Sequence, residues 1–256
     1  MELYLGNNLI SDVKEIVKLK QLSRLIILDI SGNNLARDQN YRIYCIFHLR
    51  KLKVLDGVSI EQAEHMDAKE TFAGRLTEEI LESRLGPGRK LSEVKELDLS
   101  SCRLRDFDNM FDESLYPNLR DLNLSHNSLV TLRGFGYLPK LRILKIKANR
   151  LETLFCKPND DGYPKGLFGL PGLEVLDVSY NNLHDLYGLQ YSPLKDLKIL
   201  NASNNDIVKV DFLEKLKALR ELDLSKNRIR QLDATSFSNF HVITCLRLED
   251  NGLRNL

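Results

Sequence analysis

The segment Leu219–Ile229, LRELDLSKNRI, decides the fold of this 256-residue chain. Its apolar residues Leu219, Leu222 and Leu224 follow each other at i, i+3 and i+5, a spacing that fits neither a plain helix nor a plain strand. It fits a short strand entered from a turn, with Leu222 and Leu224 on the same face. Asn227 follows, and its amide has donors and an acceptor for backbone groups that a turn leaves unpaired.

The same pattern recurs along the chain. The asparagine position is occupied by Asn8, Asn33, Asn127, Asn149, Asn181, Asn205, Asn227 and Asn251. Cys102 takes this position once, and from there onward the spacings are 25, 22, 32, 24, 22 and 24 residues. A period of about 20–29 residues is typical of leucine-rich repeats, in which each repeat forms one turn of a solenoid. We therefore predict an α/β leucine-rich-repeat solenoid, a curved horseshoe with a parallel β-sheet on its concave face. Short helical or 3₁₀ returns should form the convex face, and a helical insert should interrupt the array.

A break in the repeats divides the chain. The segment Asn40–Gly57 loses the repeat rhythm and resembles the capping motif of small intracellular leucine-rich-repeat proteins, with Tyr41 and Arg42 at its start and Leu55–Gly57 at its end. A cap is needed because the last repeat would otherwise expose an apolar end. We predict three parts: repeats with an internal cap motif in 1–58, a helical insert or linker in 59–93, and a seven-repeat array in 94–256.

The insert has two possible roles. It is either a flexible tether between the two arrays or a segment that packs against both and makes one continuous solenoid. Ser59 and Gln62 match a capping box at the start of a helix. Thr77 can begin a second short helix. The apolar stripe of the first helix consists of Ile60, Ala63, Met66 and Phe72. A free tether would not carry so many spaced apolar residues, so packing is favoured.

The composition limits the cellular locations and the classes of partner that fit this chain. Lys plus Arg is 37 against 36 Asp plus Glu, for a formal net charge of +1, which gives no support to a general nucleic-acid or membrane-surface role. The four cysteines are far apart and form no C-x-x-C pair, so we expect reduced thiols. The sequence contains no apolar run of about 18 residues. These features predict a cytoplasmic protein.

Motifs for chemistry are missing from the sequence. The 5 histidines show no metal-ligand spacing. No G-x-x-x-x-G-K-[ST] phosphate loop, G-x-S-x-G elbow or H-E-x-x-H pair is found. We therefore predict that the chain is not an enzyme and has no catalytic residues, no metal site and no cofactor.

The predicted concave face is the remaining place for function, because residues between the repeated leucines align there in columns. One column contains Asp29, Asp98, Asn123, Lys145, Asp177, Asn201, Asp223 and Arg247. The next contains Ser31, Ser100, Ser125, Lys147, Ser179, Ser203, Ser225 and Glu249. Asp and Ser are common filler in such repeats, so the departures are more informative: the basic island of Lys145, Lys147 and Arg150, and the aromatic Tyr180. The candidate partner-binding residues are Lys145, Lys147, Asp177, Tyr180, Asn201 and Asp223.

The order of features carries a resemblance. Repeats, the cap, the segment Glu70–Gly86 (ETFAGRLTEEILESRLG) and the repeats from Val94 onward resemble a segment of leucine-rich repeat-containing protein nine, a family of very long, many-repeat animal proteins. The resemblance implies an intracellular, cilium-associated interaction protein without established chemistry. It agrees with the abrupt ends of the repeat pattern, which predict either a segment of a longer protein or ends that a partner covers.

Two other functions stay open. The cap is similar to that of a phosphatase-one regulatory subunit, which would make the chain a phosphatase regulatory module. It is also similar to that of the spliceosomal A-prime protein, a ribonucleoprotein-associated adaptor that binds a protein partner; the near-zero charge and long second array weigh against this. The first hypothesis is a scaffold that binds another protein or peptide on the concave face, in a ciliary or cytoskeletal assembly. It makes no direct contact with nucleic acid or membrane.

Overall fold

The computed structural model describes residues 1–86, 88–107, 110–156, 166–232 and 242–254. It confirms the predicted leucine-rich-repeat fold, with short parallel strands separated by 3₁₀ and helical returns. The chain divides into two compact units, Met1–Ala73 and Gly74–Leu256. No helix among the described residues is long and apolar enough to span a bilayer.

The first unit contains a four-stranded sheet in the order β1-β2-β3-β4. Its strands are β1 (Glu2–Tyr4), β2 (Ile27–Asp29), β3 (Val54–Leu55) and β4 (Val58–Ser59). Strands β1 to β3 are parallel, whereas β4 is antiparallel to β3. The returns are the 3₁₀ helices Val13–Gln21 and Asn34–Arg37 and the helices α1 (Tyr41–His48) and α2 (Gln62–Phe72).

The cap motif is held together by one carboxylate. Asp56 and Gly57 have φ values of 51° and 76°, as a type I′ hairpin turn between β3 and β4 requires. The Tyr41 hydroxyl donates to Asp56 Oδ2 at 2.7 Å, and the Ile30 N–H donates to Asp56 Oδ1 at 2.8 Å. Burial, followed by the Asp56 hydrogen bond, raises the pKa of Tyr41. Asp56 thereby links α1 to the end of β2 and closes the apolar end of these repeats.

The predicted capping box of Ser59 and Gln62 is wrong. Helix α2 begins at Gln62, so the residue before it is Glu61, whose N–H donates to Glu64 Oε2 at 2.9 Å. Arg42 Nε donates to Glu64 Oε1 at 2.6 Å. This hydrogen bond, with that from Glu61, lowers the pKa of Glu64 to about 2.

The predicted apolar stripe of α2 is also partly wrong. The buried residues of this helix are Ala68 and Phe72, and Met66 is 60% exposed. At about 100° per residue, Met66 lies roughly 200° around the helix from Ala68. The Phe72 ring packs against Tyr44 and Phe47, with centroid distances of 5.6 and 5.1 Å.

The second unit contains a seven-stranded parallel sheet. Its strands are β5 (Glu96–Asp98), β6 (Asp121–Asn123), β7 (Ile143–Lys145), β8 (Val175–Asp177), β9 (Ile199–Asn201), β10 (Glu221–Asp223) and β11 (Cys245–Arg247). The returns include α3 (Glu78–Leu85), α4 (Tyr187–Tyr191) and the 3₁₀ helices Leu91–Glu93 and Gly166–Gly169.

The core of the second unit is a stack of repeated leucines. The middle residue of each strand lies in register with the next, and Leu144, Leu176, Leu200 and Leu222 are fully buried. Full burial of one leucine side chain stabilises the fold by about 1.5–3 kcal/mol. The leucine spacing of Leu219–Ile229 therefore reports the core and leaves the alternate strand residues to face solvent.

The insert provides one helix to each unit. Helix α2 packs on α1 in the first unit. In the second unit α3 packs near β5, and Leu76 and Leu81 belong to the core. The three-part division at residues 58 and 93 stays a prediction.

Candidate functional site

The repeat asparagines form a ladder between successive turns. Asn181 Nδ2 donates to the carbonyl oxygens of Ile146 and Val178, both at 3.0 Å. Its Oδ1 accepts the N–H of Leu151 at 3.0 Å. The same arrangement occurs at Asn33, Asn127, Asn149, Asn205, Asn227 and Asn251. Asn8, in the first turn, donates within its own turn to Leu5 O at 2.9 Å. The amide groups of these asparagines are bonded to the backbone, so they do not serve to bind a partner.

Cys102 occupies the asparagine position of the first turn in the second unit. Its thiol cannot repeat the amide ladder, and Arg84 on α3 supplies the donor instead. Arg84 Nη2 donates to Ser100 O at 2.7 Å and lies 3.2 Å from Cys102 Sγ. Helix α3 thus completes a turn in which the amide is missing.

The Asp and Ser residues of the two columns, which look like filler in the sequence, have a structural role. Asp223 Oδ1 accepts the N–H of Ser225 at 2.9 Å and its hydroxyl at 2.6 Å, which makes an Asx turn at the strand end. The backbone bond recurs in Asp29–Ser31, Asp98–Ser100, Asn123–Ser125, Asp177–Ser179 and Asn201–Ser203. The serine hydrogen bonds lower the pKa of Asp29 and of Asp98. Of the candidate residues, Asp177, Asn201 and Asp223 therefore hold turns.

The residue before each repeat asparagine adopts the left-handed conformation. Its φ lies between 54° and 72° at Asn7, Gly32, Ser101, His126, Ala148, Tyr180, Asn204, Lys226 and Asp250. A bulky side chain in this region is a strained outlier. Tyr180 has the largest side chain of this set and is 49% exposed. The fold therefore holds an aromatic ring in solvent at a backbone position better suited to glycine.

The structure brings three of the candidate residues to one place. Lys145 and Lys147 lie on the turn that precedes the turn of Tyr180, and the Lys147 Nζ is 5.1 Å from the centroid of the Tyr180 ring. Lys145 is exposed and Lys147 is half-buried. These lysines occupy the positions of the Asx pair, so their turn lacks the Asx hydrogen bond. The described residues form no ion pair with either lysine.

A third column of residues, which was not predicted from the sequence, lines the same side of the sheet. The solvent-facing side of the seven-stranded sheet, here called the sheet face, also carries the first residue of each strand. Ile143, Val175 and Ile199 lie in register in β7, β8 and β9, and all three are half-buried. The signal was available, because in a strand residues two apart share a face. Each of the three was therefore predictable, because it lies two residues before Lys145, Asp177 or Asn201.

The described residues contain no group of three His, Cys, Asp or Glu side chains arranged to hold a metal ion. An open depression of about 650 Å³ lies in the first unit, lined by Leu5, Leu9 and Ile10 with Asp12 and Glu15.

Comparisons with known proteins agree with this geometry. Three family models match the chain: "Leucine-rich repeat" over residues 1–83, "Leucine rich repeat" over 92–151 and "Leucine Rich repeats (2 copies)" over 195–239. Leucine-rich repeats generally mediate protein–protein interaction, and the comparisons indicate no enzyme family.

Two curated relatives show the extent of similarity. Acidic leucine-rich nuclear phosphoprotein 32 family member A of Drosophila melanogaster is 34% identical over 133 residues, which cover 50% of this chain and 46% of that protein. Lumican of Homo sapiens is 31% identical over 189 residues, covering 71% of this chain and 51% of lumican. The chain thus spans about half the length of these relatives.

Solved structures share the fold. A crystal structure of a TLR13–ssRNA13 complex superposes with a TM-score of 0.55 at 22% identity, covering 100% of this chain and 36% of that one. An internalin C2 from Listeria monocytogenes gives a TM-score of 0.50 at 23% identity, covering 65% and 66%. At this identity the likeness establishes the solenoid architecture alone.

Proposed function

Because this chain belongs to the leucine-rich repeat family, we propose that it is a protein-binding module without enzymatic activity whose partner docks on the sheet face. The observation that carries the proposal is the turn of β7. There Lys145 and Lys147 replace the Asx pair that holds six other turns, next to the exposed ring of Tyr180. The fold needs neither lysine for its turn, so both are available to a partner.

Physical chemistry supports this position for the centre of an interface. Aromatic side chains contribute strongly to interface hot spots, and Tyr180 is already oriented by Lys147 at 5.1 Å from its ring. The half-buried apolar residues Ile143, Val175 and Ile199 add surface that a partner can remove from water. The proposed centre consists of Lys145, Lys147, Asp177, Tyr180, Asn201 and Asp223, with the last two at its margin.

The cellular setting is a finer part of the proposal. The resemblance of the cap and the insert supports a segment of a long intracellular protein of the leucine-rich repeat-containing protein nine family, in the cytoplasm and within a ciliary or cytoskeletal assembly. A near-neutral charge of +1 supports a protein partner in preference to nucleic acid or a membrane surface. A pull-down that recovers phosphatase catalytic subunits would instead favour a regulatory module of the phosphatase type.

The test is affinity capture followed by measurement of Kd for the captured partner. Tyr180→Ala and Lys147→Glu should each weaken binding by about tenfold or more, equivalent to ~1.4 kcal/mol. Lys209→Glu is the matched control, because Lys209 is an exposed lysine in a return segment. If neither sheet-face variant changes the affinity beyond this control, the proposed binding surface is wrong.

A further inference from the structure

Building on the proposed function, we infer that the partner presents a short acidic peptide segment to the sheet face, with a carboxylate next to an apolar side chain. The carboxylate is expected at Lys145, Lys147 and Tyr180, and the apolar side chain at Ile143 and Val175. The inference rests on the cations, on one unpartnered buried hydroxyl, and on the charges that surround the basic turn.

The cations at this turn are not neutralised by the described part of the chain. A different pair of cations shows the contrast: Arg142 and Lys198, at the entry to β7 and β9, both bind the Glu174 carboxylate. The Lys198 hydrogen bond is the first cause of a lowered pKa of Glu174. No such carboxylate reaches Lys145 or Lys147 from the described residues, so their charge faces outward.

Ser179 is the second observation. It lies between Lys147 and Ser203 in the same column, it is 1% exposed, and its Oγ has no partner among the described residues. The equivalent hydroxyls of Ser203 and Ser225 donate to their own Asx residues. A buried hydroxyl without a hydrogen bond destabilises the fold. A partner's anionic oxygen can accept a hydrogen bond from this hydroxyl, in addition to those from the lysines, once the side chains that cover Ser179 move aside.

The apolar column fixes what accompanies the anion. Ile143 and Lys145 are the first and third residues of β7, so their side chains share a face about 6.8 Å apart. An extended peptide has the same spacing between residues i and i+2. A peptide with an acidic residue two positions from Leu, Ile or Phe therefore matches both columns at once.

The flanking charges limit the anion to a short segment. Toward β5 the sheet face carries Asp98 and Asp121, and toward β10 it carries Glu221 and Asp223. A long polyanion such as single-stranded RNA would meet like charges on both sides of the basic turn. Counterion release favours a long polyanion where many cations lie in a row. The basic turn of the sheet face has two, Lys145 and Lys147. A peptide with one or two carboxylates can place them at the two lysines, where the nearest like charge is Asp177, in register with Lys145.

The experiment is a selection from a displayed library of random 12-residue peptides on the whole chain. Counter-selection uses the Lys145→Glu/Lys147→Glu variant, once circular dichroism and urea unfolding show that it folds like the wild type. We expect enriched peptides with Asp or Glu two positions from an apolar residue. A synthetic peptide of this kind should lose at least tenfold in affinity when its acid becomes Gln, and again against the double variant.

The outcomes separate the two proposals. If selected peptides lose affinity to Tyr180→Ala yet bind equally after their acids become Gln, the acidic-segment inference fails and the protein-binding proposal stands. If the selected peptides bind all the sheet-face variants like the wild type, the proposed function fails too. No enrichment over the double variant overturns the inference. The inference is also overturned if a 20-nucleotide single-stranded RNA binds the wild type more tightly than the selected peptide does and does not bind the double variant.

Discussion

Replacing Asn181 by Ala tests the asparagine ladder at an interior turn. The substitution removes the amide that receives the Leu151 N–H and donates to Ile146 O and Val178 O, all at 3.0 Å. Asn181 is 8% exposed, so water cannot easily replace these bonds. Each lost hydrogen bond costs about 1 kcal/mol, and a buried group left unsatisfied costs about 1–3 kcal/mol. Three such bonds give an expected loss of roughly 3–5 kcal/mol.

The assay is unfolding by urea and by heat, monitored by circular dichroism because the chain has 0 Trp residues for fluorescence. For a unit of this size, such a loss lowers Tm by about 2–4 °C per kcal/mol, or about 6–20 °C. Asn182→Ala is the matched control, because Asn182 is the exposed neighbour of the same residue type and should change the free energy of unfolding by about 0.5 kcal/mol or less. Equal effects of the two substitutions would refute the ladder as a source of stability.

Three further predictions address the core, the cap and a close backbone contact. Leu222→Ala should cost about 2–5 kcal/mol in urea unfolding, because Leu222 is fully buried; a cost under 1 kcal/mol would contradict the core assignment. The lowered pKa of Glu64, about 2, means that its bond to Arg42 stabilises the first unit fully above about pH 4.5 and is lost as the pH falls toward 2. Glu64→Gln should flatten that part of the pH–stability curve, and an unchanged curve would argue against the pair. Gly169→Ala should lower Tm, because a Cβ there would overlap the Gly136 carbonyl oxygen; an unchanged Tm would show that the backbone moves aside.

The repeat pattern predicted the fold because its positions have fixed physical tasks. The leucines of Leu219–Ile229 fill the core, and Asn227 satisfies buried backbone groups, so their spacing reports the solenoid directly. The cap at Tyr41 was recognisable, but the hairpin at Asp56 was missed although Asp-Gly is its usual signal. The sequence alone could not reveal the left-handed turn positions, because their residue types vary from Gly to Tyr.

The candidate site was only partly predictable. Tyr180 and Lys147 were singled out as departures from the pattern. In the structure the Lys147 Nζ lies 5.1 Å from the centroid of the Tyr180 ring. Asp223 was proposed as a binding residue without its structural task, which became visible only with the Ser225 hydrogen bonds. The unpartnered hydroxyl of Ser179 depends on side-chain burial, which no residue spacing encodes.

Methyl NMR of the chain with its captured partner tests the binding surface most directly. Ile143, Val175 and Ile199 place methyl groups on the sheet face, and Val208 places them on an exposed return segment. Binding should shift the methyl signals of the three sheet-face residues and leave those of Val208 unchanged. Shifts at Val208 with unchanged signals at Ile143, Val175 and Ile199 would show that the partner binds elsewhere.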